Sequence, residues 1–109
     1  MYKSFKIFFV IIFIINFSNI SLSKEDFYGE GVKLFEKKKY EEAKFLFERS
    51  IVFNPKHSNS YLYLAKIYKN KKDQKNEEKN LDATLLIDPS NEEAILMLME
   101  IGLENTNYS

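Results

Sequence analysis

Few side chains in this 109-residue chain are of the kind that performs chemistry, and none has the neighbours that chemistry needs. Cysteine is absent, which excludes a disulfide framework, a thiolate zinc site and a cysteine nucleophile. A single histidine, His57, cannot make a histidine-rich metal site. A catalytic base also needs an oriented partner, and the sequence around His57 supplies none. We therefore expect no catalytic, cofactor-binding or metal-binding residue, and we interpret His57 as a solvated residue of a turn.

Two further patterns, one of glycine and one of lysine, favour a structural interpretation. Gly29 and Gly31 fall within a helical pattern, whereas a phosphate-binding glycine loop follows a strand and opens a helix. The lysine runs at 37–39 and 69–79 are interleaved with or flanked by acids, which is typical of solvated faces. The chain has 16 basic and 16 acidic residues, so it is not a nucleic-acid binder that works by bulk positive charge. These observations favour a non-enzyme.

The N-terminal segment 1–23 is distinct from the rest of the chain. Lys3 and Lys6 precede the unbroken apolar run 7–15, and Ser21 and Ser23 follow as small residues at positions −3 and −1. This order predicts a secretory signal peptide cleaved after Ser23, and hence an exported protein, periplasmic or secreted. The alternative is an uncleaved membrane anchor over residues 7–22, although that stretch is shorter than the ~20 apolar residues of a spanning helix. Both interpretations stay open.

The remainder of the chain repeats itself. Pro55 and Pro89 define a period of 34, and aligning the chain on itself at that offset pairs large residues with large ones and small with small. The pairs are Phe27 with Tyr61, Gly31 with Ala65, Leu34 with Tyr68, Phe47 with Leu81, Ser50 with Thr84, Ile51 with Leu85, Phe53 with Ile87 and Asn54 with Asp88.

Each period divides into two helical patterns with apolar residues at steps of three and four. A polar break separates them at 36–39 in the first period and at 70–74 in the second. Asn54-Pro55 and Asp88-Pro89 end the second helix of each period, because a residue before proline disfavours the α region. A fifth helix is predicted to begin at Ser90, with Ser90 and Glu93 forming a capping box.

This pattern resembles the tetratricopeptide repeat, a helix–turn–helix unit with the same period. The resemblance lies in Phe27, Gly31, Leu34, Ala43, Phe47 and Pro55 of the first unit and in Tyr61, Ala65, Tyr68, Leu81 and Pro89 of the second. It implies an all-α fold in which antiparallel helical hairpins stack as a short right-handed superhelix. We expect a signal peptide at 1–23, repeats at 24–57 and 58–91, a capping helix at 92–104 and a tail at 105–109.

One position departs from the family pattern. Glu77 stands where the family has a small alanine, so its carboxylate is expected either to open the contact between the two helices of its repeat or to project into solvent.

The resemblance also implies a concave groove lined by the first helix of each repeat, where a protein or peptide binds. By position, the groove residues are Tyr28, Val32, Phe35, Leu62, Lys66, Lys69, Leu96, Glu100 and Leu103. Ordinary packing of these residues is the alternative. Tyr28 and Val32 occupy positions where the members that clamp a peptide carboxylate need Lys and Asn, which argues against that clamp.

The last helix carries more apolar residues than one packing face can hide. They are Ile95, Leu96, Met97, Leu98, Met99, Ile101 and Leu103. We expect either a homodimer through Ile95–Leu103 or a chain that unfolds at low temperature until a partner covers its groove. The sequence thus leaves two functions open: an exported, non-catalytic protein-binding module, and a self-associating structural subunit of the cell envelope. Neither needs a cofactor or nucleic acid, and membrane contact requires an uncleaved N-terminal segment.

Overall fold

The computed structural model describes residues 26–106, and this part of the chain consists of five α-helices joined by short turns. The helices are α1 (Phe27–Glu36), α2 (Tyr40–Phe53), α3 (Ser58–Asn70), α4 (Gln74–Ile87) and α5 (Glu92–Thr106). No strand occurs between residues 26 and 106, so the predicted all-α class is confirmed. The signal segment 1–23 and the end of the tail, 107–109, lie outside the described residues. No helix of the described part is long and apolar enough to cross a membrane.

Three of the five helix starts, those of α1, α4 and α5, are fixed by side chains that accept hydrogen bonds from free backbone amides, whereas α2 and α3 have no such cap. Asp26 accepts from the Gly29 amide at 2.9 Å and Asp73 from the Asn76 amide at 3.2 Å. At α5 the accepting side chain is Asn91, which bonds the Ala94 amide at 2.9 Å.

The predicted capping box at Ser90 and Glu93 is therefore wrong. The Ser90 hydroxyl instead lies 3.0 Å from an oxygen of Asp88, and Glu93 forms an ion pair with Lys66 on α3. Helix α5 begins at Glu92, after the Ser90 of that capping pattern, and continues to Thr106.

The turn inside each repeat has the same geometry. Lys38 and Lys72, which are one period apart, both have left-handed backbones, with φ of 62° and 60°. After α1 the Lys39 amide donates to the Leu34 carbonyl and the Lys38 amide to Phe35; the equivalent pair of bonds follows α3. This arrangement is a Schellman motif, which satisfies the last free carbonyls and reverses the chain. Each turn therefore folds its helices, α1 with α2 and α3 with α4, into an antiparallel hairpin.

Small residues allow the helices of a hairpin to approach closely, as the sequence predicted. Gly31 is buried against Phe47, and a Cβ added at Gly31 would lie 2.9 Å from a ring carbon of Phe47. Ala43 and Ala65 are fully buried. Only hydrogen fits between α1 and the Phe47 ring, so the glycine sets the separation of α1 and α2.

Two hydrophobic clusters form the core, and α3 contributes to both. The first contains Ala43, Phe47, Leu64 and Ile67, and the second contains Leu62, Ala65, Leu81, Ala94, Met97 and Ile101. One side of α3 thus packs on the first hairpin and the other side on α4 and α5. Because α3 joins the two clusters, the helices form a continuous stack in which no hairpin buries its apolar face alone.

Candidate protein-binding surface

The expected groove residues of α1 take part in packing between α1 and α3. Tyr28, Val32 and Phe35 are half-buried beside the first core cluster. The rings of Tyr28 and Phe35 both make T-shaped contacts with the ring of Tyr63 on α3, with centroid distances of 5.9 and 5.1 Å. Burial and the nearby Tyr63 hydroxyl raise the pKa of Tyr28. These side chains hold the first two repeats together and leave little surface free for a partner.

The expected groove residues of α3 face α5. Leu62 is only 4% exposed and belongs to the second core cluster, so it does not line an open groove. Lys66 and Lys69 lie at the surface and form ion pairs with Glu93 and Glu100 of α5, at 2.6 and 2.8 Å. The hydrogen bond to Glu100 raises the pKa of Lys69. Both lysines therefore help to hold α5 against α3.

The expected groove residues of α5 are exposed. Leu96 and Leu103 are 63% and 65% exposed, and Met99 between them is 58% exposed. Met97 was expected among the apolar residues that a partner or a second copy covers, but it is buried in the second core cluster. The exposed apolar face of α5 thus consists of Leu96, Met99 and Leu103, with the partly exposed Ile95 at its edge.

Comparison of equivalent positions explains this exposure. Leu62 and Leu96 are one period apart, and each lies on the first helix of a repeat unit. Leu62 is covered because α5 packs on α3, whereas no described helix packs on the same face of α5. The apolar face of α5 is therefore the open end of the stack.

A cavity of about 540 Å³ lies beside this face, at the junction of α3, α4 and α5. Its lining includes two expected groove residues, Lys69 and Glu100; the complete lining is Lys69, Lys72, Gln74, Glu77, Glu100, Ile101 and Glu104. Glu77 is only 6% exposed. Burial raises the pKa of its carboxyl, and the charges of Glu100 and Glu104 add to this effect, while Lys69 opposes it.

Neither expectation for Glu77 holds. Its carboxylate does not open the contact between α3 and α4, which pack closely, and it does not project into bulk solvent. Lys72 and Glu104 also line the cavity, although neither was predicted to be a site residue. Glu104 follows Glu100 by one helical turn on α5, and this spacing is the signal that could have identified it.

His57 is not the solvated turn residue that the sequence suggested. Its Nδ1 lies 2.8 Å from the Ser60 hydroxyl, which in turn lies 2.8 Å from the Ser50 hydroxyl in a buried contact between α2 and α3. The imidazole also meets the Tyr28 ring edge-on at 4.5 Å between centroids. His57 therefore joins α1, α2 and α3 at the turn between the repeats.

The lysine-rich turns are at the surface, as expected, although one lysine forms a contact between repeats. Lys71, in the turn after α3, donates a hydrogen bond to Glu41 at the start of α2, and this bond lowers the pKa of Glu41. In the described part of the chain, no group of three or more His, Cys, Asp or Glu residues is placed to hold a metal ion.

The period and the hairpins agree with a comparison against protein families, in which residues 46–79 match the tetratricopeptide repeat. Residues 46–79 thus resemble a tetratricopeptide repeat. The matched segment is as long as the period read from the two prolines, and it runs from the middle of α2 through α3 into α4. The tetratricopeptide repeat boundaries at 24–57 and 58–91 stay predictions, since the match begins at a different point of the period. No curated protein matches the chain.

Proposed function

We propose that the chain is an exported, non-catalytic scaffold that binds a protein partner through the surface formed by α3 and α5. A tetratricopeptide repeat is a helical scaffold for protein–protein interaction, which gives the general class. The apolar face of α5 carries the more specific proposal. Leu96 and Leu103 are more than half exposed, whereas Leu62, the equivalent of Leu96 one period earlier, is buried. Exposed apolar patches of this kind mark interaction sites.

Self-association through Ile95–Leu103 is the second candidate, with the chain as a structural subunit of the cell envelope. The same exposed face supports it, but the charges on α5 do not. Helix α5 carries Glu92, Glu93, Glu100 and Glu104 and no basic residue, and only Glu93 and Glu100 are paired with lysines of α3. Two such helices packed against each other would bring like charges together, which disfavours the pairing.

Capture of the partner from the native host tests the main proposal. The double variant Leu96→Ser/Leu103→Ser should lose the partner, since it removes the two most exposed leucines of α5. Leu86→Ser is the matched control, because Leu86 is 86% exposed on α4 and lies outside the proposed surface. Equal recovery by the wild type and the double variant would contradict the proposal, and recovery of the chain alone would favour the structural subunit.

Export is tested separately. N-terminal sequencing of the protein from its native host should begin at Lys24, the residue after the predicted cleavage site. A mature chain that retains the apolar run 7–15 and fractionates with membranes would favour the anchor instead.

A further inference from the structure

Glu77 is a buried carboxylate that makes no hydrogen bond and no ion pair with a described residue, although the charge of Lys69 acts in its favour. Only 6% of its surface is exposed, yet its side chain forms no hydrogen bond or ion pair. In the described part of the chain, every fully buried polar atom of a side chain has a hydrogen-bond partner. Because the Glu77 oxygens have no such partner, they are accessible from the cavity that the residue lines. A carboxylate in this position has lost most of its contact with bulk water and has gained no donor in return, which is an unfavourable state.

The charges around the cavity do not balance. Its lining contains three carboxylates, Glu77, Glu100 and Glu104, against two ammonium groups, Lys69 and Lys72. Lys69 is already engaged by Glu100 at 2.8 Å, and Glu104 forms no ion pair with any described residue. Neither Glu77 nor Glu104 is thus in an ion pair with an ammonium group of the lining, although the charge of Lys69 acts on both. A single added positive charge would neutralise the lining.

The position of Glu104 also favours a nearby positive charge. It lies in the last turn of α5, where the helix dipole disfavours an acid and no basic residue is present. Glu104 is therefore not explained by the stability of α5. Glu77 lies in the first turn of α4, where the helix dipole favours an acid, but its carboxylate is buried without a hydrogen bond. Both become favourable when a cation occupies the cavity between them and α3.

We propose that the cavity between α3, α4 and α5 receives a basic side chain, Lys or Arg, of the protein partner, and that this side chain pairs with Glu77. The inference rests on the proposed function, since it takes the partner to be a protein. A basic side chain supplies the donors that Glu77 lacks, and a hydrogen bond between charged groups is stronger than one between neutral groups. The aliphatic stem of Lys or Arg suits the cavity, because the apolar side chain of Ile101 is part of its lining.

The exposed apolar face of α5 indicates which residues lie next to this basic residue in the partner. Leu96, Met99 and Leu103 lie on the same helix as the cavity residues Glu100 and Glu104. The expected recognition element is thus a basic residue that enters the cavity, next to apolar residues that cover α5.

A random peptide library displayed on phage and selected against the full chain tests the inference. Selected peptides should contain a Lys or Arg beside apolar residues. Replacing arginine by neutral citrulline, or lysine by norleucine, should weaken binding of the best peptide at least tenfold. The variant Glu77→Gln, which keeps the size of the side chain, should cause a similar loss. Asp82→Asn is the matched control, because Asp82 is an exposed acid of α4 outside the cavity, and it should bind as the wild type does.

The outcomes separate the two proposals. If the selected peptides bind the Leu96–Leu103 face and bind the Glu77→Gln variant as tightly as the wild type, the pairing of a basic side chain with Glu77 is contradicted. The proposed protein-binding function would still hold. If no selected peptide depends on either Glu77 or the α5 leucines, both proposals fail. Affinity that depends on the peptide's base and on Glu77, but not on Asp82, supports both.

Discussion

At the scale of single residues, Glu77 is the side chain whose surroundings least suit its charge. Burial raises the pKa of its carboxyl, and so do Glu100 and Glu104 from α5 and Glu78 from α4, while Lys69 of α3 acts in the opposite direction. Lys72, in the turn after α3, is the other charged group of the lining. A raised pKa means that folding favours the protonated carboxyl, so ionised Glu77 destabilises the fold.

The stability contributed by protonated Glu77 should therefore depend on pH. It is fully present below about pH 4.3, the ordinary pKa of a glutamate in an unfolded chain, and is lost as the pH rises through the higher pKa of the folded state. Glu77→Gln removes this titration. Chemical denaturation at a series of pH values should show the variant more stable than the wild type at pH 7, with the difference shrinking toward pH 4. A variant that is less stable than the wild type at pH 7 would show that the carboxylate has a favourable partner in the fold.

Two glycines in helices should respond in opposite ways to the same substitution. A Cβ at Gly31 would lie 2.9 Å from the buried Phe47 ring, which stacks on Tyr63 and cannot move aside. A Cβ at Gly102 would meet nothing within 4 Å.

We expect Gly31→Ala to destabilise the chain by ~1 kcal/mol, since overpacking exceeds the gain in helix propensity. Gly102→Ala should stabilise it by ~0.5 kcal/mol, because only the propensity changes. Denaturant titration of both variants checks this, and a stabilising Gly31→Ala would contradict the close contact of α1 and α2.

At the scale of the helices, the sequence predicted the ends better than the starts. Asn54-Pro55 and Asp88-Pro89 end α2 and α4 as expected, because the restriction before proline is local to the backbone. The cap of α5 was predicted wrongly, since Ser90 and Asn91 are both good caps and the sequence does not show which side chain reaches a free amide. In the structure Ser90 is engaged by Asp88, and Asn91 reaches the Ala94 amide.

The two candidate caps give a direct test of the α5 start. Asn91→Ala removes the acceptor of the Ala94 amide and should destabilise the chain by ~1 kcal/mol, with loss of helical signal as α5 frays. Ser90→Ala should change stability by less than ~0.5 kcal/mol, because Ser90 is exposed and does not cap the helix. Circular dichroism during thermal unfolding measures both effects. A larger effect of Ser90→Ala than of Asn91→Ala would contradict the Asn91 cap and support the capping box at Ser90 and Glu93.

At the scale of the whole molecule, the repeat period predicted which residues are equivalent but not which are covered. Leu62 and Leu96 occupy the same position in successive units, yet one is buried by α5 and the other is exposed. The repeat pattern fixes the face of a helix, whereas burial depends on whether another helix packs on that face. The cavity at Glu77 was missed for a similar reason, since it exists only where α3, α4 and α5 meet.

Two methionines on α5 test which side of that helix belongs to the core of the stack. Met97 is 8% exposed and packs with Leu62 and Leu81 of the second core cluster, whereas Met99 is 58% exposed. Met97→Ala leaves a cavity in the core and should destabilise the chain by about 2 kcal/mol or more. Met99→Ala removes a side chain from the open face and should change stability by less than ~0.5 kcal/mol.

The same methionine pair separates folding from binding. Because Met99 lies on the proposed partner surface, Met99→Ala should weaken capture of the partner while the denaturation midpoint of the chain stays unchanged. Denaturant titration and partner capture on the two variants give both quantities. Similar losses of stability in both variants would mean that the face of α5 with Leu96, Met99 and Leu103 is covered within the chain itself, and the proposed binding surface would then be core.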